Sequence, residues 1–198
     1  INGQPLFTHM LNTLNAIEWI SEIIINTDSD EIAELAKKMG SKTVINWRDQ
    51  HLIGEDITAN ALIENDLKIA KNEFIVQTHS TNPLLSASTL NLARKEFLNN
   101  HPMFDSLMSM DSHYTRAYTS AFIPINHDIK ILERTQDLKP VFLENSLFYF
   151  FSKNSFFSNN NRIGSKSKFF VTPKAESFDI DTEEDFQLVS ELLSLRNR

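Results

Sequence analysis

The segment Asp179-Ile180-Asp181 places two carboxylates two residues apart, directly before a charged run with helical character. Side chains two positions apart in an extended chain lie on the same side, so Asp179 and Asp181 can converge on one point. In proteins, Mg²⁺ takes one or two carboxylates together with substrate phosphates. The pair is therefore a candidate catalytic metal site.

The same segment also has a purely structural explanation. Thr182, with Asp185 three positions later, approximates a capping box, and acids in a first helical turn favour the helix dipole. From spacing alone, a capped helix start explains these residues better than a metal site does. A metal site needs a cleft and a ligand, which the rest of the chain must supply.

The elements that would position the pair follow an alternating pattern. Apolar runs at 23–28, 43–46, 74–77 and 106–110 alternate with segments of helical periodicity, and a closing helix is predicted over 182–195. Continuous apolar strands between helices predict an α/β fold, with a mainly parallel sheet and helices on both faces. The length of 198 residues suits one domain over 1–198.

Ligands of such sheets bind beyond the carboxyl ends of the strands. Asp28, Arg48 and the turn from His79 through Thr81 to Asn82 stand at those ends in the sequence. They give the physical argument for a site. His79 either hydrogen-bonds a ligand or is a satisfied structural histidine, and the sequence leaves both open.

Residues 112–142 break the alternation. Short β-like pieces are mixed with polar loops, and the apolar residues there have no regular partner. We expect an irregular β arm inserted in the sheet, with a role in self-association. Arg134 lies in this arm beside Thr135 and Asp137; a planar guanidinium suits carboxylate recognition, although a solvated surface arginine is the more common case.

Composition excludes several classes of protein. A net charge of −7 argues against a nucleic-acid binder, and no apolar run reaches the length of a membrane span. The absence of cysteine excludes disulfides and thiolate metal sites, and it fits a cytoplasmic protein. The six histidines lack zinc-site spacing, and the four glycines are too scattered for a glycine-rich phosphate loop.

Six segments, in order and spacing, resemble the acylneuraminate cytidylyltransferase family, the CMP-sialic acid synthetases. No single motif is decisive, but their succession is specific, and the closing one is the strongest. The segments are N-T-D-S-D-E-I-A at 26–33, T-N-P-L at 81–84, R-T-Q-D-L at 134–138, E-N-S-L-F-Y at 144–149, N-R-I-G at 161–164 and D-I-D-T-E-E-D at 179–185.

This resemblance implies a Rossmann-like nucleotidyltransferase fold and an enzyme that activates a nonulosonic, sialic-acid-like sugar. Such an enzyme joins CTP to a nine-carbon 2-keto acid sugar in a Mg²⁺-dependent reaction, giving the CMP-sugar and pyrophosphate. The arm at 112–142 would then mediate homodimerisation and reach the partner's site.

Carried over by position, the resemblance also implies roles for individual residues. Asp179 and Asp181 would hold the metal. The remaining candidates would contact the substrates: Arg48, Thr58 and Asn60 near the cytosine and ribose; His79, Thr81 and Asn82 at the sugar; Arg134, with Arg116 as a second cation, at the sugar carboxylate; and Asn145 in the matching 144–149 segment.

The chain also departs from the family pattern. The N-terminal strand and the basic triphosphate-binding loop of the family have no counterpart, and G-Q-P-L at 3–6 resembles the sequence that follows that loop. We expect that a segment carrying both is missing from the N-terminus, because a chain without them would not bind CTP in the family's way and would expose sheet edges.

Substitutions within the motifs concern the substrate. His79 stands where the family has Gln, Leu85 where it has Arg, and Ser146 where it has Gly. They bear on the identity of the sugar more than on the fold. Two alternatives therefore remain: a non-catalytic nucleotidyltransferase-like binding or scaffold subunit, and a related sugar nucleotidyltransferase with a different base or sugar.

Overall fold

A computed structural model of the chain describes residues 1–54 and 56–196. Within these ranges, strands and helices alternate along the chain except where β4 is followed directly by β5. The strands are β1 (Ile23–Thr27), β2 (Thr43–Trp47), β3 (Phe74–Thr78), β4 (Ser106–His113), β5 (Val141–Ser152) and β6 (Ser167–Val171). The α-helices are α1 (Leu6–Asn15), α2 (Asp30–Met39), α3 (Ala59–Leu67), α4 (Ala87–Asn100), α5 (Lys153–Asn159) and α6 (Glu183–Arg196).

The strands form two groups. β1 and β2 pair in parallel, and the other four lie in the order β3-β5-β4-β6. β4 and β6 are parallel, whereas β5 runs antiparallel to both of its neighbours. The predicted α/β fold is confirmed. The reversed direction of β5 was not predicted, because the long connection between β4 and β5 conceals that they form a hairpin.

A cleft of about 690 Å³ separates the two groups of strands, and β1 and β3 line its opposite sides. Their facing edges are not paired with each other. Apolar side chains that a covered sheet would bury are consequently half-exposed, as for Ile24 and Ile75, and Phe74 is 47% exposed.

The core lies on both faces of β5. Phe148 and Phe150 pack on one face with Phe97 of α4, while Tyr149 and Phe151 pack on the other. Side chains of a strand alternate between faces, so a run of four aromatic residues marks a strand that is buried on both sides. A smaller cluster joins α6 to the turn after β3 through residues that include Leu84, Ile180 and Val189.

The region predicted as an arm is largely irregular. Its first and last two residues extend β4 and β5, which pair as far as His113 and Val141. Between them lie an isolated bridge from Tyr118 to Pro124 and a 3₁₀ turn at Thr135–Asp137.

In the part of the chain that the structure describes, no helix combines the length and apolarity needed to cross a membrane.

Candidate active site

The carboxyl ends of β1 and β2 hold Arg48 in a fixed position. Its Nε donates a hydrogen bond to Asn26 Oδ1 (2.9 Å), and its Nη2 donates to the backbone carbonyl oxygen of Asn26 (3.1 Å). The backbone N–H of Arg48 also bonds to the carbonyl of Thr27 (2.9 Å). The guanidinium is thus positioned directly by the end of β1.

Asp66 of α3 anchors the two strand ends from the side. Its Oδ1 accepts hydrogen bonds from Asn26 Nδ2 and Asn46 Nδ2, both at 2.8 Å. Burial raises the pKa of Asp66, while the bonds from the two amides and the charge of Arg48 oppose that shift. The result is a preorganised polar cluster beneath Arg48.

Sequence reasoning missed Asn46 and Asp66. A signal for Asp66 was present: it lies four residues before Ala70 and three after Ile63, on the apolar face of the predicted helix. An acid at such a position must find hydrogen-bond partners in the fold, because a buried carboxylate without them is costly.

Thr58 and Asn60 lie at the start of α3. Thr58 is the N-cap, and its Oγ1 accepts a hydrogen bond from the N–H of Ala61 (3.2 Å). Asn60 Oδ1 accepts from the backbone N–H of Arg162 (3.3 Å). The first residue therefore caps the helix, and the second connects it to the loop after α5.

His79, just beyond the carboxyl end of β3, lies in a second polar cluster with Gln77 and Arg162. Arg162 Nη1 donates to Gln77 Oε1 (2.8 Å) and lies 3.4 Å from His79 Nε2, which is also 2.9 Å from Gln77 Nε2. Because both neighbours of His79 Nε2 are donors, that nitrogen is the acceptor and the proton resides on Nδ1.

The surroundings of His79 favour its neutral form. Burial lowers the pKa of the imidazole below its ordinary value of 6.5, and the positive charge of Arg162 lowers it further, while Asp179 opposes both. His79 is therefore uncharged at neutral pH and presents a hydrogen-bonding ring in the cleft.

Arg162 was not among the residues predicted to form the site. Its guanidinium lies over the ring of Tyr149, 3.7 Å from the ring centroid. The Tyr149 hydroxyl in turn donates to Glu144 and contacts Ser146 (3.0 Å). Burial and the bond to Glu144 raise the pKa of that phenol. The signal available for Arg162 was its place in the N-R-I-G segment.

The segment that carries the carboxylate pair is tied to the turn after β3. The N–H of Ile180 donates to the carbonyl of Thr81 (3.0 Å), and Asn82, which is fully buried, donates from Nδ2 to the carbonyl of Phe178 (3.4 Å). Asn82 thus makes a structural contact here. The pair lies in a segment without regular secondary structure rather than in a strand.

Ile180 packs inward against α6, and Asp179 and Asp181 flank it in the chain. Asp179 is half-buried and close enough to His79 to affect its pKa, and Asp181 is exposed. Two carboxylates that leave positions for substrate oxygens suit Mg²⁺. Among the described residues, no three acidic, histidine or cysteine side chains lie close enough together to bind a metal ion. The protein ligands of the metal would therefore be these two carboxylates alone.

The predicted capping role of Thr182 is also present. Thr182 Oγ1 accepts from the N–H of Asp185 (3.2 Å), and Asp185 Oδ2 accepts from the N–H of Thr182 (2.9 Å). The capping and metal explanations are therefore compatible, because the cap fixes the backbone directly after Asp181.

Asn145 lies at a junction of strands. Its Nδ2 donates to Asp111 Oδ1 (2.9 Å) and Thr172 Oγ1 (2.7 Å), and it lies 3.3 Å from Ser177 Oγ. It thereby joins β5 to β4 and to the chain just before the carboxylate pair. The next residue, Ser146, has a positive φ of 55°, which accounts for glycine at this position in the family pattern.

Arg116 and Arg134 are not brought together with the other candidates. Both lie in the arm, where Arg116 is half-buried and Arg134 is exposed: Arg116 donates to the carbonyl of Glu133, and Arg134 pairs with Asp137 (Nε to Oδ2, 2.6 Å). Neither hydrogen-bonds to the strand-end clusters within the residues described.

The two polar clusters open on the same cleft. Asn26 and Asp66 line one side, and Gln77, Thr78 and His79 line the other. The lining of the cleft is mostly apolar, and its polar groups include Asn26, which is bonded to Arg48, and His79, which contacts Arg162. This arrangement can bind two polar molecules, or the two parts of one molecule, side by side.

Comparison with known proteins shows which family the sequence matches. The family model described as "Cytidylyltransferase" matches residues 1–197. Pseudaminic acid cytidylyltransferase of Campylobacter jejuni is 24% identical, over 98% of this chain and 88% of its own length. CMP-N,N'-diacetyllegionaminic acid synthase of the same species is 27% identical, over 100% of this chain and 87% of its own length.

Solved structures show the same fold. The 4-diphosphocytidyl-2C-methyl-D-erythritol synthase of Anaerococcus prevotii superposes with a TM-score of 0.71 at 12% identity, over 98% of this chain and 88% of that one. A CMP:2-keto-3-deoxy-manno-octonic acid synthetase in complex with CTP superposes with a TM-score of 0.65 at 11% identity, over 99% and 90%. The Rossmann-like nucleotidyltransferase fold is therefore confirmed, and this chain belongs to the cytidylyltransferase family.

Proposed function

We propose that the protein transfers the cytidylyl group of CTP to a 2-keto acid sugar of the nonulosonic class and releases pyrophosphate. The observation that carries the proposal is the cleft, whose lining includes Asn26 and Asp66 in one part and Gln77 and His79 in another; the segment with the carboxylate pair is tied to the turn after β3. The names of the two Campylobacter jejuni relatives, both concerned with nonulosonic acids, support the choice of sugar.

In this reaction a hydroxyl oxygen of the sugar forms a bond to the α-phosphorus, and the bond from that phosphorus to the bridging oxygen of the leaving pyrophosphate breaks. The proton of the hydroxyl is lost. Little of this requires covalent participation by the protein, so positioning and electrostatic stabilisation carry the rate. Preorganised donors and a dry, fixed geometry are what the protein must provide.

Each wall of the cleft has a role in this proposal. Arg48, held by Asn26, would contact the nucleoside, with Thr58 and Asn60 close by at the start of α3. The sugar would lie against the turn after β3, where the neutral His79 and Thr81 offer hydrogen bonds.

Asp179 and Asp181 would hold Mg²⁺, which supplies positive charge to the phosphates when bound. The support is the donor set: two carboxylates that flank the anchored Ile180, with no cation among the described residues paired to them.

The test is turnover with a panel of CTP, UTP, ATP and GTP against pseudaminic acid, N,N'-diacetyllegionaminic acid and 3-deoxy-manno-octulosonate. Pyrophosphate release that needs both CTP and a nonulosonic acid supports the proposal. Preference for another base or for the eight-carbon sugar would favour a related sugar nucleotidyltransferase, and a protein that binds substrates without turnover would be a non-catalytic subunit.

Replacement of one metal ligand tests the carboxylate pair. Asp181→Ala should reduce kcat at least 100-fold, because a lost charge-stabilising group typically costs that much. Activity should respond to added Mg²⁺ in the wild type. Glu184→Gln is the matched control, since it removes an exposed acid of the first turn of α6, three residues after Asp181. Wild-type rates in Asp181→Ala would overturn the metal assignment.

We further propose that the chain is a single nucleotidyltransferase domain with an arm at 112–142 that binds a second copy of the chain. The support is the number of exposed apolar side chains in the arm, among them Phe122 (70% exposed) and Leu132 (90%). Arg116 and Arg134 would then serve the partner's cleft. The cytoplasmic location of the protein remains a prediction.

A further inference from the structure

Arg162 carries a positive charge that is not in direct contact with an acid among the described residues. None of the ion pairs in that part of the chain includes it. The side chains in contact with it are Gln77, His79 and the Tyr149 ring, none of which is an acid. Glu144 and Asp179 lie beyond Tyr149 and His79 and form no ion pair with Arg162, so the half-buried guanidinium is suited to an anionic ligand that binds it directly.

The guanidinium also has donors to spare. A guanidinium has five N–H donors in a fixed fork, and the hydrogen bonds of Arg162 to the described residues use only Nη1. Nε and Nη2 are left to bind a carboxylate or phosphate with two parallel hydrogen bonds.

The side chain is held ready for such a ligand. It stacks on the Tyr149 ring, its Nη1 is fixed by Gln77, and its backbone N–H is bonded to Asn60. A long arginine side chain normally loses rotamer entropy when it binds a ligand, and immobilisation before binding reduces that loss.

Arg134, the residue expected to bind the sugar carboxylate, has its side-chain donors already occupied. Its Nε and Nη2 donate to the two oxygens of Asp137 at 2.6 and 3.2 Å. The fork that would bind a substrate carboxylate is occupied, so this arginine must leave Asp137 before it can act.

We propose that Arg162 is a substrate-binding residue whose guanidinium binds an oxyanion of the substrate, the carboxylate of the acid sugar. The inference rests on the proposed function for the identity of the ligand. The Gln77–His79 side of the cleft, next to the turn assigned to the sugar, favours the carboxylate; a nucleotide phosphate has the same chemistry and is the second source to test.

The experiment measures KM for pseudaminic acid, KM for CTP and kcat in Arg162→Gln and Arg162→Lys. It also measures direct binding of pseudaminic acid, its methyl ester and CTP by calorimetry. Arg162→Gln should raise KM for the acid sugar roughly 10- to 100-fold, the usual effect of losing hydrogen bonds to a charged group, with CTP unaffected. Arg162→Lys should recover only part, because an ammonium keeps the charge without the fork.

The methyl ester separates the two anion sources. Wild type should prefer the acid over the ester, and Arg162→Gln should bind both equally weakly. A rise in KM for CTP, with the preference for the acid retained, would assign the oxyanion to the nucleotide and overturn the carboxylate assignment. Unchanged binding of both substrates in Arg162→Gln would overturn the whole proposal.

Two controls keep the result interpretable. Lys95→Gln removes a cation that is exposed on α4 and does not line the cleft, and it should leave all constants unchanged. Thermal unfolding of each variant checks the fold. If wild type turns over no sugar, the proposed function fails, while the calorimetric comparison of acid, ester and CTP still decides the role of Arg162.

Discussion

At the scale of single residues, His79 reports on the electrostatics of the site. Burial and Arg162 lower its pKa, and Asp179 raises it. In an NMR titration we expect an imidazole pKa below 6.5, a higher value in Arg162→Gln and a lower value in Asp179→Asn. Shifts in the opposite directions would show that the two charges do not face His79.

The lowered pKa of His79 also determines how the stability of the folded protein changes with pH. A histidine with a lowered pKa in the folded state binds fewer protons than in the unfolded chain, so stability rises with pH up to about its ordinary value of 6.5. His79→Gln should remove that part of the rise.

Several residues of the site could be predicted from the sequence, and others could not. Asp179 and Asp181 stand out by spacing, and Arg48 and His79 by their place at strand ends. Arg162 does not, because its importance depends on the Tyr149 ring and on Gln77, which are distant in sequence and meet it only in the fold.

At the scale of elements, the start of α6 determines how the carboxylate pair is presented. Thr182→Ala removes the hydroxyl that caps the helix and should cost about 1 kcal/mol of unfolding free energy in urea denaturation at pH 7. Thr182→Ser keeps the hydroxyl and serves as the control. An equal loss in both variants would contradict the capping role.

The cap also predicts a pH dependence. The hydrogen bonds from the hydroxyl and the backbone N–H of Thr182 lower the pKa of Asp185 below its ordinary value of 3.8. A carboxylate of this kind adds stability above that value, and the contribution is lost as the pH falls through the folded-state pKa. The difference between wild type and Thr182→Ala should therefore be smaller in acid than at pH 7.

Most elements were predictable because their apolar periodicity is strong, as in the aromatic run of β5. The pairing of that strand was not. Direction and neighbours depend on how the chain returns after residues 114–140, and a connection of irregular sequence carries no signal for them. The apolar periodicity also predicts a helix from about Thr58 to Lys71, but α3 ends at Leu67 and turn residues follow it.

At the scale of the whole molecule, the exposed arm predicts self-association. Leu132→Asp should convert a dimer into a monomer in sedimentation velocity, because it places a charge in the apolar contact. Leu92→Asp is the matched control: Leu92 is 60% exposed on α4, outside the arm. A wild-type monomer, or a dimer indifferent to Leu132→Asp, would contradict this role of the arm.

The most direct test of the proposed cytidylyl transfer is the product of the reaction. The protein, CTP, Mg²⁺ and pseudaminic acid should give a CMP-sugar, seen by ³¹P NMR as a new phosphodiester resonance, together with one pyrophosphate for each sugar consumed. Appearance of CDP and inorganic phosphate instead, or an unchanged CTP spectrum with every nonulosonic acid supplied, would contradict the account.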